Sequence, residues 1–456
     1  MQRRLFLQGG SAAALVTLAA CGGGGGPAGA DASSDPSMEL AARKPRQPDP
    51  APTDPATATV SYPFGSRKDL VNGRYPFGIA PASATAASMD TRIKACHASW
   101  KAANLVKSPT FTATAGVYAG QVISDAWHVR FTNPTYACVS EGIGYGMLIC
   151  VLMAGADAGA RTCFDGLLRT ARGRPAYGHM NYGRTEAKYL SEWRLSSTMA
   201  SAGDGWNATD GDLDIALALL MADRQWGSAG AFNYRQEALD TIAALKSCNF
   251  ASTGEPRGPQ RTNTRTSDHM IGHFRSFRAA TGDAFWDLAI SRCHALVTGI
   301  VANFSPVARL QPGFIVDCTT HPVPSPGNVV EGPYEGLYDA NAVRNPWRWG
   351  TDYLYSGDAG WKAIVNDLTA FLKADCGGNP FNAAGLYALD GTAVGSRYFA
   401  ESTVGPLMVG CMVDAAHQGF LDTLWTAHAS HFTTDYYDSE LQLLPMLVAS
   451  GNWWRP

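Results

Sequence analysis

Glu141 is the first acidic residue whose surroundings could support chemistry. It follows Ser140, and an apolar run from Met147 to Met153 comes shortly after it. Ser140 is the expected N-cap of a helix, which places Glu141 in the first helical turn. Burial beside an apolar helix raises a carboxyl pKa while a helix N-terminus lowers it, and a general acid needs a strong rise. Glu141 is therefore either a proton donor or a capping glutamate.

A second acidic group consists of Asp210, Asp212 and Asp214, spaced two residues apart at the start of another predicted helix. Acidic residues at this end of a helix complement its dipole. The same spacing begins an EF-hand calcium loop, but that loop needs Gly at its sixth position and Glu at its twelfth. Those positions hold Ile215 and Met221, so we exclude a calcium loop.

The histidines do not indicate a metal centre. His269 and His273 are four residues apart, but Met270 stands where a zinc peptidase motif has Glu. The Gly-x-Ser-x-Gly motif of many serine hydrolases does not occur in the sequence. Paired carboxylates need no metal to act as acid and base, so we expect neither a metal nor a cofactor.

The composition favours a neutral partner. Only 16% of the 456 residues are charged, and 36 basic residues stand against 39 acidic ones. A protein that binds nucleic acid through phosphate contacts is normally more basic, so we expect no nucleic-acid partner. Aromatic residues make up 10% of the chain. Their rings either stack on sugar faces or pack a large core.

The first 21 residues resemble an export signal. Arg3-Arg4 resembles a twin-arginine signal, and the apolar segment 12–20 is too short to span a bilayer. Leu18-Ala19-Ala20-Cys21 resembles a bacterial lipobox, in which the cysteine is lipidated. We expect a periplasmic or surface lipoprotein, held at a membrane only through this anchor, or a secreted protein if Cys21 is not lipidated. Residues 22–60 are rich in Gly, Ala, Pro and Ser and are predicted to be a disordered linker.

Residues 61–456 are predicted to form one mostly helical catalytic domain. About twelve segments show the 3.6-residue apolar periodicity of amphipathic helices, with strand signals only near 118–131 and 314–318. They could form a solenoid, a bundle or a closed toroid, and the lack of a 34–45-residue repeat argues against a solenoid. We expect a monomer. Without Cys21 nine cysteines remain and none forms a Cys-x-x-Cys pair, so most should be buried and unpaired.

Four segments, in the same order along the chain, resemble glycoside hydrolase family 8. The segments are 140–147, 208–216, 345–348 and 450–453. The resemblance implies an all-α (α/α)6 barrel with a few short strands. It also implies inverting hydrolysis of β-1,4-linked glucan chains, cellulose-like or of mixed linkage, at one end of the barrel.

The resemblance also implies roles for individual residues. Glu141 matches the general acid of the family, and Asp210 matches the carboxylate that holds the sugar at the cleavage point. Many members have their base, an Asp, three residues before an Arg that is Arg344 here, but this chain has Asn341. A carboxamide cannot take up a proton. One subgroup shares this Asn and takes its base from a loop Glu, which corresponds to Glu331 here.

Several alternatives remain open. Glu335 and Asp339 are alternative bases. The polysaccharide could be chitosan, because loop carboxylates would suit a cationic chain, and the protein could also be a non-catalytic glycan-binding lipoprotein or a polysaccharide lyase. Candidate substrate-binding residues lie in or beside the motifs; they are Tyr145, Trp193, Trp206, Asp268, Tyr334, Asn341, Trp347 and Arg348.

Overall fold

The computed structural model describes residues 59–133, 135–258 and 262–456, which belong to one compact unit. The predicted signal peptide, Cys21 and nearly all of the predicted linker lie outside the described residues. Where the chain is described, helices dominate and each predicted helical segment is found. The helices are α1 Ala86–Asn104, α2 Ser140–Leu152, α3 Ala160–Gly173, α4 Tyr177–Met180, α5 Thr209–Trp226, α6 Tyr234–Asn249, α7 Ile271–Thr281, α8 Phe285–Phe304, α9 Asn345–Ser356, α10 Ala359–Asp375, α11 Glu401–Cys411, α12 Gln418–Ser430 and α13 Tyr436–Ala449.

Six of these helices form a closed inner ring. α2 contacts α5, followed around the ring by α7, α9, α11 and α13, and α13 returns to α2. Each inner helix also packs against one outer helix: α1, α3, α6, α8, α10 or α12. This arrangement is the predicted (α/α)6 barrel. The inner helices α2 and α5 are buried on nearly every side, as expected for helices surrounded by others.

The outer helix α8 buries only one stripe of side chains. In α8 the buried side chains follow helical spacing; they are Trp286, Ala289, Cys293, Leu296, Val297 and Ile300. Among the described helices, α8 alone is long and apolar enough to span a membrane by length and composition, but only a third of its most apolar window is buried within the protein. This helix buries one apolar stripe and packs on α7, as an outer helix of the barrel does.

The inner helices begin at a common end of the barrel. Hydrogen bonds join Glu141 at the start of α2 to Arg344 just before α9 and to Tyr436 at the start of α13. Arg344 also reaches Asp210 at the start of α5. This end therefore collects helix N-termini, whose dipoles favour negative charge, and it collects the acidic motifs.

Short strands lie in the loops between helices. Three two-stranded sheets pair β1 Leu105–Lys107 with β4 Trp127–Val129, β2 Phe111–Thr112 with β3 Val122–Ile123, and β5 Cys138–Val139 with β6 Arg194–Leu195. An antiparallel sheet of three strands contains β7 Thr264–Arg265, β8 Phe314–Val316 and β9 Val323–Pro324, in that order. The strand signals near 118–131 and 314–318 thus correspond to real strands.

One local prediction was wrong. Ser140 is the first residue of α2 rather than its N-cap, and its hydroxyl has no hydrogen-bond partner. Val139, at the end of β5, occupies the cap position with extended backbone, because β5 runs directly into the helix. The cysteine prediction agrees with the structure: the nine cysteines of the described residues are all unpaired and buried.

Candidate active site

Glu141 sits at the centre of the site. One carboxylate oxygen accepts a hydrogen bond from the Tyr436 hydroxyl at 2.9 Å, and the other accepts from Arg344. Burial and the charge of Asp210 raise the pKa of Glu141 to about 7, and the nearby arginines only partly oppose this. A carboxyl group that keeps its proton near neutrality can act as a general acid.

Asp210 has the opposite electrostatic environment. Its carboxylate accepts from Arg344 at 3.0 Å and pairs with Arg265 at 2.8 Å. Burial alone would raise its pKa, but the two guanidinium groups hold the pKa well below its ordinary value. Two neighbouring carboxyl groups therefore titrate in different pH ranges: Glu141 keeps its proton up to about pH 7, whereas Asp210 is charged.

The three aspartates of the 210–214 motif have different partners. Asp210 and Asp214 are four residues apart and share one face of α5, whereas Asp212 faces the loop before the helix. Asp212 accepts from the Ser191 backbone and the Asn207 amide, both at 2.8 Å, and burial raises its pKa to about 7. Only Asp210 belongs to the cluster around Glu141.

Asp214 forms buried contacts between inner helices of the barrel. It forms a two-pronged ion pair with Arg348 at 2.7 and 2.6 Å and accepts from His273 at 2.8 Å. Burial raises the pKa of Asp214, but these two partners reverse the effect and lower it. Asp214 and Arg348 have almost no exposed surface, so their pairing supports the fold rather than the cleft.

Glu331 projects from the loop that follows β9. Its carboxylate accepts from the Asn341 side-chain amide at 2.9 Å and from Arg265 at 3.4 Å. With 47% of its side chain exposed, it is the most open of the candidate bases. A carboxylate in this position can reach both solvent and the cluster that contains Glu141.

Asn341 connects the two halves of the site. Its side-chain oxygen accepts from Arg344 at 2.8 Å and Arg265 at 3.4 Å, while its nitrogen donates to Glu331 and, at 3.3 Å, to Asp339. Because two guanidinium donors lie on one side of the amide and two carboxylates on the other, the amide oxygen must face the arginines and the amide nitrogen must face the carboxylates. Asn341 is thus a rigid link between Glu331 and Arg344, which in turn bonds Glu141.

The two alternative bases are engaged elsewhere. Glu335 is 2% exposed and accepts from Ser325 and from four backbone N–H groups between residues 329 and 332. Asp339 is 7% exposed and accepts from the backbone N–H groups of Asn341 and Ala342, at the start of the 3₁₀ turn Ala342–Arg344. Burial raises the pKa of Asp339 to about 7. Glu335 thus shapes the loop that carries Glu331, and Asp339 shapes the turn that precedes Arg344.

Arg265 belongs to the site although no sequence pattern pointed to it. It lies in β7 and contacts the carboxylates of Asp210 at 2.8 Å, Asp268 at 2.9 Å and Glu331. Asp268 is almost fully buried, and burial raises its pKa to about 6 despite the Arg265 contact. Except for Asp268, the partners of Arg265 are distant in sequence, so no local pattern indicates its role.

The predicted sugar-binding rings fall into two groups. Trp193 and Trp206 are half-buried and Tyr334 is exposed. Tyr145 and Trp347 are buried completely, pack edge-to-face with centroids 5.9 Å apart, and have no open face. For these two rings, and for the buried Arg348, a direct sugar contact does not fit this structure, because inner helices cover them.

One exposed aromatic ring packs on a predicted sugar-binding residue. Tyr182, which the sequence did not single out, is 71% exposed and stacks on Trp206 with ring centroids 5.8 Å apart. Trp206 in turn packs against His179, and Trp193 carries the Arg194 guanidinium over its ring at 4.2 Å. Flat exposed rings supported from behind are suited to stacking on sugars.

Comparisons with known proteins point to one family. The model of the family described as glycosyl hydrolases family 8 matches residues 93–451. A β-glucanase from Niallia circulans is 34% identical over 411 residues, covering 88% of this chain and 94% of that protein. An endoglucanase from Bacillus sp. (strain KSM-330) is 34% identical over 324 residues, covering 70% of this chain and 67% of its own.

Solved structures give the same result. The apo structure of a β-1,3-1,4-glucanase from Paenibacillus sp. X4 matches with a TM-score of 0.77 and 33% identity, covering 87% of this chain and all of that one. Rex8A from Paenibacillus barcinonensis matches with a TM-score of 0.65 at 17% identity, covering 82% of this chain and 97% of its own, which supports the fold alone. The family match spans most of the chain and includes the acidic motifs around Glu141 and Asp210. The chain therefore belongs to family 8 of the glycosyl hydrolases and is a glycoside hydrolase.

Proposed function

We propose that the enzyme cleaves β-1,4-linked glucan chains internally, with inversion at the anomeric carbon. In this reaction Glu141 protonates the leaving oxygen, while Glu331 removes a proton from the attacking water on the other face of the sugar. Asn341 holds the Glu331 carboxylate through its side-chain amide, and Asp210 holds the sugar at the cleavage point. Inversion requires two carboxyl groups that are separated by enough space for a water molecule.

A chain of contacts carries this proposal. Glu141 bonds Arg344, Arg344 donates to Asn341 at 2.8 Å, and Asn341 donates to Glu331 at 2.9 Å. The acid and the proposed base are thus held in one network but separated by two intervening side chains. That arrangement favours a water-mediated inverting reaction over direct attack by a carboxylate, which needs a closer pair.

The protonation states also suit this division of roles. Glu141 has its pKa raised to about 7 and can donate a proton at neutral pH. Glu335 is held charged by its backbone N–H donors, and Asp339 is buried against the chain. Among the three loop carboxylates, only Glu331 combines exposure with a position in the network. It is therefore the best candidate to accept the proton of the water.

The charge of the site favours glucan over chitosan. A cleft for a cationic chain would gain from several exposed carboxylates, and the loop and its neighbours offered four candidates. Three of them, Glu335, Asp339 and Asp268, are at most 7% exposed and are already hydrogen-bonded. The relatives named as β-glucanase and endoglucanase support the same preference.

Side-by-side hydrolysis of soluble polysaccharides tests the substrate and the stereochemistry. Purified enzyme is incubated with carboxymethylcellulose, lichenan and chitosan, and reducing ends are measured. Early products from a β-glucan oligosaccharide are followed by proton NMR. We expect activity on the glucans, a rapid fall in viscosity and an α-anomer formed first. A β-anomer formed first, or activity confined to chitosan, would contradict the proposal.

We also propose that the enzyme is exported and held at a membrane through Cys21. The support is sequence alone: Arg3-Arg4, a short apolar segment and Leu18-Ala19-Ala20-Cys21. One acyl chain binds a membrane only marginally, so stable anchoring needs more than one. In a cell fractionation, Cys21→Ser should move the protein from the membrane to the soluble fraction. A wild-type protein that is already soluble would refute the anchor.

A further inference from the structure

Glu335 is the most heavily bonded carboxylate near the site. Its Oε1 atom accepts from the Ser325 hydroxyl at 2.6 Å and the Val329 N–H at 2.7 Å. Its Oε2 atom accepts from the N–H groups of Val330 at 3.0 Å, Glu331 at 2.6 Å and Gly332 at 3.2 Å. Four consecutive backbone donors therefore converge on one buried side chain. Such hydrogen bonds are charge-assisted and stronger than those between neutral groups.

The segment 329–332 that surrounds Glu335 needs this support. It has no helical or strand structure, and its backbone contacts include a turn in which the Asn328 N–H donates to the Gly332 carbonyl at 2.8 Å. Gly327 and Asn328 adopt positive φ angles of 92° and 58°, which turn the chain back toward Glu335. The conformation of the loop therefore depends on an anion at its centre.

Glu335 itself is fixed to the three-stranded sheet. Phe314 in β8 donates its backbone N–H to the Glu335 carbonyl at 2.7 Å, and Ser325 directly follows β9. The neighbouring strand β7 supplies Arg265, which contacts both Glu331 and Asp210. The same sheet thus makes two connections to the loop. It binds Glu335, which holds the backbone of residues 329–332, and its Arg265 contacts the side chain of the proposed base Glu331.

We propose that Glu335 is a positioning residue that sets the place of the Glu331 carboxylate through the backbone of residues 329–332. This inference rests on the proposed role of Glu331 as base. Glu335 does not touch the substrate or the water. The charged form suits this role, because backbone donors stabilise a carboxylate and the pKa of Glu335 lies below its ordinary value despite burial.

The substitution Glu335→Gln replaces one acceptor oxygen by an amide group that cannot accept from the loop. We expect kcat on lichenan to fall about 10–100-fold, since a displacement of about 1 Å can cost that much, while KM changes less than about 3-fold. Ser325→Ala removes one of the donors to Glu335 and should lower kcat about 2–5-fold. Glu255→Gln is the matched control, because Glu255 is equally buried but holds a different loop through Thr253 and Arg292.

A double-mutant cycle separates positioning from general loss of structure. Glu331→Ala alone tests the proposed base: activity near that of the wild type would refute the base and this inference together. If Glu331→Ala has a strongly lowered but measurable kcat, Glu335→Gln added to it should lower kcat less than about 2-fold further, because Glu335 acts only through Glu331. The inference is overturned if Glu335→Gln keeps kcat within about 2-fold of the wild type, or if the two losses multiply.

One measurement and one substitute variant keep this cycle interpretable. Thermal unfolding is recorded for every variant, and Glu335→Gln and Glu255→Gln should lose comparable stability while only the former loses kcat. Where Glu335→Gln fails to fold, Ser325→Ala takes its place in the cycle. A Ser325→Ala loss of kcat that persists in full in the Glu331→Ala background would overturn the inference.

Discussion

The hydrogen bond from Tyr436 to Glu141 should set the upper pH limit of activity. Glu141 must be protonated to act as the acid, and its pKa lies near 7. The Tyr436 hydroxyl donates to its carboxylate at 2.9 Å and so stabilises the charged form. Tyr436→Phe removes this donor. The pKa of Glu141 should therefore rise, and the protonated enzyme should persist to higher pH.

The size of the shift follows from the contact. A hydrogen bond to a buried charged group contributes about 1.5–3 kcal/mol, and the bond to the protonated acid contributes about 1 kcal/mol. The difference is on the order of 1 kcal/mol, and one pKa unit corresponds to about 1.4 kcal/mol. The alkaline limb of kcat/KM should therefore move from near pH 7 to near pH 8, a rise of about one unit.

The assay is the pH dependence of kcat/KM on a soluble β-glucan, measured from reducing ends. Tyr437→Phe is the matched control, because the adjacent hydroxyl donates to the Ala340 carbonyl rather than to Glu141. The control should keep its alkaline limb near that of the wild type. An unmoved limb in Tyr436→Phe, or a limb moved to lower pH, would refute Glu141 as the titrating acid.

Two further substitutions separate catalysis from stability. Glu141→Gln should lower kcat on β-glucan about 10²–10⁴-fold but cost much less on a dinitrophenyl glycoside, whose leaving group needs no proton; equal losses on both substrates would contradict the acid role. Asp214→Asn should lower the free energy of unfolding by about 3–5 kcal/mol, measured by urea denaturation, because Arg348 is left buried with only a neutral partner. A loss under about 1 kcal/mol would contradict this estimate.

The helices were predictable from the sequence because each depends on its own periodicity. The buried stripe of α8 follows the apolar periodicity that predicted a helix there, and the apolar run after Glu141 predicted the buried helix α2. Closure of the ring between α13 and α2 was not visible in any local pattern. It came only from the resemblance of four separated motifs to a known family.

The site was partly predictable for the same reason. Glu141 and Asp210 belong to recognisable local motifs, whereas Glu331, Glu335 and Asp339 are three similar acids in one loop. Their different surroundings arise from backbone donors and from burial, which depend on how the loop folds onto the sheet. Arg265 was missed because its contacts with Asp210 and Glu331 join distant parts of the chain.

The aromatic predictions show a similar limit. A tryptophan beside a catalytic motif can face the cleft or the barrel interior, and the sequence does not distinguish these orientations. Trp206 lies in a loop and keeps part of its surface, while Trp347 lies on inner helix α9 and is buried. The exposed Tyr182 was overlooked because no acidic motif adjoins it.

Azide rescue of Glu331→Ala tests the central claim most directly. Azide can attack the anomeric carbon without a base, so it bypasses a missing general base but not a missing acid. We expect Glu331→Ala to lose about 10²–10⁴-fold in kcat and to regain activity with azide, forming an α-glycosyl azide visible by NMR, while Asp339→Asn keeps most of its activity. The opposite ranking, with both proteins folded and only Asp339→Asn rescued, would place the base at Asp339 and contradict the role of Glu331.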